Sequence, residues 1–281
     1  KKWWKVDRLR FGTAGIPHST KKSNTINGIL RVRELELDAF ELEFVHSVNI
    51  KKDMAPEVKK IAKENDVRLS SHSPYYLNLN AKEKRKMDMS VHLLANSAII
   101  TALCGGENTA FHPAFYMKDP KEKAYKTVKE NLKRVVDKVK DAGLKIWVRP
   151  ELTGKRTQFG DLKELIKLSQ ELDLVLPCID YAHYHAREGG GNNDYEAFRK
   201  LLEELEKGLG REILNNMHIQ IAGVNYTEKG ERNHMNLKDS DLNWKDILRT
   251  WKEFKIKGVV IAETPNIEGD ALLLKREFSR I

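Results

Sequence analysis

Histidine and carboxylate side chains recur at the ends of the strand-like segments in this sequence. Five of these segments end in such a residue, namely His72, His112, Glu151, Asp180 and Glu263, and a sixth carries His218 near its start. Burying several ionisable groups together is costly unless a cation compensates their charge. Mixed nitrogen and oxygen ligands without a neighbouring cysteine are typical of zinc, manganese or non-redox iron sites. The pattern therefore indicates a site for divalent metal ions.

Each of these residues also has an ordinary structural interpretation. A single histidine is often a hydrogen-bonded core residue, and a carboxylate after a strand often caps the following helix. The set as a whole favours metal ligands, because helix caps would not select histidine at these positions.

The candidate ligands outnumber those that one ion needs. One ion takes about four protein ligands, and the candidates for it are Glu151, Asp180, His218 and Glu263. His72 and His112 could complete a second site together with Glu151, and His183 and His234 offer part of a third. Neighbouring divalent ions can stabilise both the attacking and the leaving oxygen of a phosphodiester. The ligand count thus favours a site with several ions.

The elements that must position these residues alternate between strand and helix along the whole chain. Strand-like segments lie at residues 9–13, 39–45, 67–72, 109–112, 145–151, 174–180, 217–222 and 258–263. Helical segments lie at residues 25–37, 56–65, 81–103, 121–142, 162–172, 195–215, 243–255 and 271–278. Eight such repeats without a linker predict an α/β fold, a (β/α)8 TIM barrel formed by a single domain over residues 1–281. In such a barrel the carboxyl ends of the strands carry the active site.

Composition narrows the class of protein. The chain has 281 residues, of which 40% are hydrophobic and 32% charged, and this excludes a disordered chain. It contains no apolar segment long enough for a membrane helix, and the start, Lys-Lys-Trp-Trp-Lys, lacks the apolar stretch of a signal peptide. The two cysteines, Cys104 and Cys178, lie in apolar runs and are expected to be buried, reduced thiols. We therefore expect a cytoplasmic protein.

The net charge of +9 raises two possibilities, which are a polyanionic partner and the lysine-rich surface of a heat-stable protein. Charge alone leaves both open.

In their order along the chain, the metal-binding candidates and their neighbours resemble endonuclease IV, the zinc-dependent apurinic/apyrimidinic endonuclease of the xylose-isomerase-like barrel superfamily. The sequence looks like a divergent, archaeal-type member. The resembling segments are Ser-Ser-His72-Ser-Pro-Tyr75-Tyr76-Leu77-Asn78, Phe-His112-Pro, Pro-Glu151-Leu-Thr-Gly, Cys-Ile-Asp180-Tyr-Ala-His183, His218-Ile and Ala-Glu263-Thr-Pro.

The resemblance implies a DNA repair enzyme. This enzyme would be a phosphodiester hydrolase that cleaves damaged double-stranded DNA on the 5′ side of abasic sites, with a metal-activated hydroxide as nucleophile. It would leave 3′-hydroxyl and 5′-deoxyribose phosphate ends. It would work as a monomer, without a small organic cofactor or a membrane.

The family pattern also implies roles for individual residues. Glu151 would be catalytic and would bridge two ions. The cofactor would be zinc, about two to three ions per chain, with manganese as an alternative. The first ion would be held by His72, His112 and Glu151, the second by Glu151, Asp180, His218 and Glu263, and the third by His183 and His234. Tyr75, Tyr76 and Asn78 would contact DNA, although Asn78 could instead cap the following helix.

Two positions depart from the family pattern. The family places an Asp two residues before the last ligating histidine, whereas this chain has Arg232 there and its nearest carboxylate is Glu231. The loop after the second strand, residues 44–50, does not match the family loop that penetrates DNA.

Two other classes of protein are compatible with parts of the pattern. A sugar isomerase or epimerase of the same superfamily would need one ion only, held by Glu151, Asp180, His218 and Glu263. The additional histidines and the basic charge favour the nuclease over this alternative. A non-catalytic, metal-stabilised nucleic-acid binder is a third class, but closed structural sites rarely gather at the open face of a barrel.

Overall fold

The computed structural model describes residues 6–281 and contains two compact units. The middle unit comprises residues 41–153 and 157–177, and the terminal unit comprises residues 6–40, 154–156 and 178–281. The Lys-Lys-Trp-Trp-Lys start, interpreted above as unlike a signal peptide, lies outside the described residues. Between residues 6 and 281, no helix is both long and apolar enough to cross a membrane.

Strands and helices alternate along the chain, as predicted. The first elements are β1 (Leu9–Ala14), α1 (Thr25–Glu34), β2 (Ala39–Glu43), α2 (Ala55–Glu64), β3 (Arg68–His72), α3 (Lys84–Leu103) and β4 (Asn108–Phe111). There follow β5 (Ala114–Phe115), α4 (Lys121–Asp141), β6 (Trp147–Pro150), β7 (Gln158–Phe159) and α5 (Leu162–Glu171). The last elements are β8 (Ile179–Asp180), α6 (Tyr181–Ala186), α7 (Tyr195–Leu209), α8 (Arg211–Leu214), β9 (Met217–Ile221), β10 (Gly223–Thr227), β11 (Gly230–Met235), α9 (Trp244–Glu253), β12 (Gly258–Ala262) and α10 (Glu268–Arg280).

The middle unit is built on four neighbouring strands in the order β6-β4-β3-β2. Strands β3, β4 and β6 pair in parallel, with Ser70 opposite Asn108 and Asn108 opposite Trp147. Helices α3 and α4 pack against each other, and α4 buries an apolar face that includes Val128 and Leu132. Because these strands run in the same direction, their carboxyl ends lie at one edge of the sheet. His72, His112 and Glu151, which end β3 or directly follow β4 and β6, therefore lie at that edge.

The terminal unit has the strand order β1-β12-β9-β8, again in parallel. Its core contains Trp251 on α9, whose indole nitrogen donates a hydrogen bond to the hydroxyl of buried Tyr181 (3.0 Å). An antiparallel hairpin formed by β10 and β11 follows β9. The sequence patterns did not predict this hairpin.

Several predicted elements differ in extent from the observed ones, three of them as follows. The helix predicted at residues 195–215 is two helices, because Gly210 between them has φ of 80°. The strand predicted at residues 174–180 is reduced to β8 and an isolated bridge between Val148 and Val175. Pro177 interrupts that segment, since proline has no backbone N–H for a ladder. The final helix begins at Glu268, three residues earlier than predicted.

Both cysteines, Cys104 and Cys178, are buried, as predicted. Burial raises the pKa of the Cys104 thiol to about 12, so this side chain is protonated at neutral pH and is not a nucleophile.

Candidate metal centre

The carboxyl ends of β3, β4 and β6 bring together His72, His112 and Glu151, which we call the middle-unit metal group. His72 ends β3, and the other two residues directly follow β4 and β6. Both imidazoles face one carboxylate oxygen. The Nε2 atom of His72 lies 2.9 Å, and that of His112 3.3 Å, from Oε2 of Glu151. The structure thus brings the three predicted ligands of the first ion together.

The imidazole of His72 is held in one orientation by two contacts. Its Nδ1–H donates to the carbonyl oxygen of Ser73 (2.7 Å), so Nε2 is the nitrogen that faces Glu151. Burial alone would lower the pKa of His72. The hydrogen bond to Glu151 and the charges of Glu151 and Glu41 outweigh burial and raise the pKa to about 9. The surroundings therefore favour a positive charge at this position.

Two further carboxyl groups lie close to this group, and sequence reasoning missed both. Glu41 and Glu43 are on β2, two residues apart and therefore on the same face of the strand. The pKa of Glu43 is raised well above its usual value by burial, by the charge and hydrogen bond of Glu41, and by the charge of Glu151. The alternation Glu-Leu-Glu at the end of a buried strand was the signal that could have revealed them.

The terminal unit brings together Asp180, His183 and His234, which we call the terminal-unit metal group. Asp180 ends β8, and its Oδ1 caps α6 by accepting from the backbone N–H of His183 (2.9 Å). Its Oδ2 lies 3.4 Å from Nδ1 of the same imidazole. His234 lies on β11, and its ring nitrogen Nδ1 faces the carbonyl oxygen of Glu263 at 3.0 Å.

Glu231 joins this group, although it stands three residues before His234 instead of two. Its Oε2 lies 2.8 Å from Nε2 of His183, and its Oε1 lies 3.1 Å from Nε2 of His234. Burial would raise the pKa of Glu231, but the charges and hydrogen bonds of the two imidazoles prevail and hold it far below its usual range. The carboxylate is therefore ionised between two histidines.

A β-bulge explains how Glu231 reaches this position. In the hairpin, Asn233 pairs with Asn225 and Glu231 pairs with Tyr226, which leaves Arg232 as an extra residue on β11. A bulge of one residue shifts the alternation of side chains. A spacing of three residues across the bulge then acts like a spacing of two in a regular strand, so Glu231 and His234 face the same side.

His218 and Glu263 occupy different levels of the terminal-unit sheet. Glu263 directly follows β12, and its backbone N–H donates to the carbonyl oxygen of Ile221 at 2.9 Å. His218 is fully buried near the start of β9, whereas Gln220 pairs with Asp180. His218 thus lies two residues before the level of Asp180, about 6.6 Å at about 3.3 Å per residue. Gln220 is a residue that sequence reasoning missed, and its signal was the alternation that puts it on the same face as His218.

The predicted DNA-contacting tyrosines are on the loop between β3 and α3. Tyr75 is 51% and Tyr76 48% exposed. The hydroxyl of Tyr76 donates to the carbonyl oxygen of His46 (2.8 Å), and the two tyrosine rings meet edge to face at 6.0 Å. Both rings are therefore accessible on an anchored loop.

Asn78 fastens this loop and does not cap α3, which begins at Lys84. Its side-chain oxygen accepts from the backbone N–H groups of Asn80 (3.0 Å) and Phe115 (3.2 Å). The alternative of a helix cap is wrong for this residue.

The donor atoms of both groups fit a divalent ion. Imidazole and carboxylate ligands bind zinc at about 2.0–2.2 Å, which places tetrahedral ligand atoms about 3.3–3.6 Å apart. Within each group the candidate ligand atoms lie within 4.8 Å of one another. His72, His112 and Glu151 would hold one ion, and His183 and His234 with Asp180 or Glu231 would hold another.

Comparison with known proteins identifies the family. A family model described as xylose isomerase-like TIM barrel matches residues 29–279. The chain belongs to the xylose isomerase-like TIM barrel family. The predicted TIM-barrel fold is therefore confirmed.

Relatives of this family member include an uncharacterized protein of Methanocaldococcus jannaschii. It is 42% identical over 273 residues, which cover 97% of this chain and 98% of the relative. A probable endonuclease 4 of Mycoplasma genitalium is 23% identical over 215 residues, covering 75% of this chain and 71% of the relative. The resemblance to endonuclease IV is thus confirmed as a distant relationship.

Solved structures of the same fold include different enzymes. Endonuclease IV from Thermus thermophilus superposes with a TM-score of 0.71 at 20% identity, covering 98% of both chains. A D-tagatose 3-epimerase-like protein also has a TM-score of 0.71, at 18% identity, covering 95% of this chain and 96% of the other. The xylose isomerase-like barrel is therefore an enzyme fold that supports more than one reaction.

Proposed function

We propose that the protein is a metal-dependent DNA repair endonuclease. It hydrolyses the phosphodiester bond on the 5′ side of abasic sites in damaged double-stranded DNA and leaves 3′-hydroxyl and 5′-deoxyribose phosphate ends. The observation that carries this proposal is the occurrence of an imidazole–carboxylate group in each unit, more ligands than a one-metal isomerase needs. When bound, divalent ions such as zinc stabilise the charge on the attacking and leaving oxygens of a phosphodiester.

Glu151 is the proposed catalytic residue. Its side chain is fully buried, and its Oε2 lies 2.9 Å from His72 and 3.3 Å from His112. These contacts hold the carboxylate in one orientation, so it can orient the attacking water. His72 and His112 would hold an ion together with Glu151.

The loop between β3 and α3 provides the proposed contacts to DNA. Tyr75 and Tyr76 expose their rings, and a base that stacks on an aromatic side chain gains about 1–3 kcal/mol. Asn78 has its side-chain oxygen bound to backbone groups, so its amide nitrogen is the atom that donates to a phosphate. The net charge of +9 supports binding to a polyanion.

Incision of a duplex with a single abasic site, combined with metal analysis, tests this proposal. His72→Ala or His112→Ala should lower the rate of incision about a thousandfold, because a lost ion removes several kcal/mol of transition-state stabilisation. Each variant should bind less metal than the parent and retain the circular dichroism spectrum. His92 on α3 is exposed and outside both metal groups, so His92→Ala is the matched control and should incise like the parent.

Parental incision by either ligand variant would refute the assignment. So would the absence of incision by the parent protein across a range of zinc and manganese concentrations.

A one-metal epimerase or isomerase is the second candidate, and Glu41 and Glu43 favour it. The raised pKa of Glu43 favours its protonated form, which places an acid–base group beside Glu151 that proton transfer on a neutral sugar can use. Incubation of the metal-loaded protein with ketoses in deuterium oxide distinguishes the two reactions. Incorporation of deuterium that persists in His72→Ala would support the epimerase, and no incorporation is expected of the endonuclease.

A further inference from the structure

A groove of about 450 Å³ lies beside Tyr76 in the middle unit. Its walls come from the loop between β3 and α3, from the first half of α3 and from the segment around β5. This groove is separate from the middle-unit metal group, none of whose residues lines it. The proposed endonuclease activity does not use its far wall.

The wall of the groove is unusually apolar for an exposed surface. Tyr76, Met89, Phe115 and Met117 all line it, with exposed fractions of 48%, 49%, 40% and 46%. Between residues 6 and 281, eight large hydrophobic side chains are exposed, and four of them meet in this groove. Single exposed apolar residues are ordinary, but a cluster of them marks a binding surface.

Phe115 is presented on a fixed backbone. It lies on β5, which pairs with β7, and its backbone N–H donates to Asn78 while its carbonyl oxygen accepts from Asn80 (3.0 Å). A platform that is already ordered loses little entropy when a ligand stacks on it.

The rim of the groove carries lysines. Lys82 and Lys86 line it, and their side chains are 47% and 69% exposed. Lys82 pairs with Asp119, and Lys86 lies 2.9 Å from Glu83, which also lines the groove. Exposed ion pairs of this kind contribute little, and an ammonium has three donors, so a phosphate can bind the same lysines.

We propose that this groove binds an unstacked strand of DNA, with bases on Phe115 and Tyr76 and phosphates on Lys82 and Lys86. Aromatic and thioether surface beside lysines is the combination that accepts bases of any sequence along a charged backbone. Tyr76 belongs both to the proposed lesion-contacting loop and to the groove, so the strand continues from one to the other. The inference rests on the proposed function, because it gives that endonuclease a place for DNA that has lost its base pairing.

Binding of a labelled, intact oligodeoxythymidylate to the metal-loaded protein, followed by fluorescence anisotropy, tests the inference. Such an oligonucleotide has no abasic site to be cleaved. Phe115→Ala should weaken binding about thirtyfold, the factor expected from a stacking contact of average strength. Lys86→Gln should make the negative slope of log K against log salt concentration shallower by about 0.7, which corresponds to the loss of one phosphate contact on a single strand.

Two control variants match these changes outside the groove. Met54 is an exposed methionine and Lys60 is a 72% exposed lysine of α2, also in a weak pair with a glutamate. Met54→Ala is compared with Met89→Ala, and Lys60→Gln with Lys86→Gln. Both controls should bind like the parent. If Phe115→Ala does not fold, Phe115→Leu removes the aromatic face and keeps the apolar volume.

Parental affinity in the folded Phe115 variant, together with a parental salt slope in Lys86→Gln, would overturn the inference. Self-association of the parent that the Phe115 variant abolishes, with unchanged DNA binding, would assign the groove to a second copy of the chain instead. The incision assay separates this inference from the proposed function. If the parent binds the oligonucleotide through Phe115 but never incises abasic DNA, the endonuclease proposal fails and the groove proposal stands. If the parent incises abasic DNA but its affinity for the oligonucleotide does not depend on Phe115, only the groove proposal fails.

Discussion

Replacing Gly154 by alanine should damage the terminal-unit metal group and leave the middle-unit metal group intact. A Cβ atom at Gly154 would lie 2.8 Å from Cδ2 of His183 and 2.9 Å from Oε2 of Glu231. Ordinary van der Waals contact begins at 3.4 Å. The carboxylate of Glu231 must therefore withdraw by about 0.5 Å to reach that distance, and the imidazole of His183 must turn as well.

The expected loss of metal affinity follows from the disturbed contact between His183 and Glu231. His183 and Glu231 lie 2.8 Å apart, and withdrawal by about 0.5 Å would stretch this contact to about 3.3 Å, beyond the usual range of hydrogen bonds. Displacement of a ligand or of a residue that orients one lowers metal affinity about 10- to 100-fold. Equilibrium dialysis of the metal-free protein at graded free zinc concentrations, with zinc counted per chain, measures this change. We expect one of the binding steps to weaken and another to stay at the parental affinity.

Gly191→Ala is the matched control, because the nearest atom to a Cβ there is Cβ of Glu188 at 3.3 Å, the base of an exposed side chain. It should bind zinc like the parent. Two indistinguishable zinc titrations for Gly154→Ala and the parent, with the fold retained, would refute the assignment of His183 and Glu231 to a metal site.

Three further predictions follow from the same contacts. Replacing Tyr75 and Tyr76 together by alanine should reduce the preference for abasic over intact duplex in a binding competition, with unchanged zinc content, and an unaltered preference would place the lesion contact elsewhere. His218→Asn should lower zinc content less than Asp180→Asn, because His218 lies two residues before the level of Asp180 in the sheet, and elemental analysis decides this. Glu268→Gln should lower the free energy of unfolding at pH 7 by about 1 kcal/mol, because the carboxylate accepts hydrogen bonds from the loop after β1. Burial would raise the pKa of Glu268, but those bonds lower it below its usual value of 4.5. The carboxylate therefore stabilises the fold fully above pH 4.5, and the difference from the parent should shrink as the pH falls through the lowered pKa, which urea unfolding at a series of acidic pH values measures.

Much of the site was predictable because it depends on strand ends. His72, His112, Glu151, Asp180 and Glu263 each end or directly follow a strand of the structure. In a parallel sheet the carboxyl ends lie at one edge, so the alternation of elements along the chain already indicates which residues are neighbours. The sequence spacing of strands and helices carries this information locally, without any knowledge of packing.

Glu231 shows where local information ends. In a regular strand, a spacing of three residues would put Glu231 and His234 on opposite faces. The bulge at Arg232 reverses this, and the bulge exists only because β11 pairs with β10 in a particular register. The register of β11 depends on its partner strand β10, and a pattern within β11 alone does not contain that information.

The alternation of elements, the types of ligand at the strand ends and the basic charge could be predicted, since each depends on residue type and on spacing within one segment. Tertiary structure decided which carboxylates surround His72, that Glu231 lies between two imidazoles, and that Phe115 and Met89 share a groove with Tyr76. The physical reason is that these contacts join residues from different elements. Their distances depend on strand register and helix packing, which a local pattern does not contain.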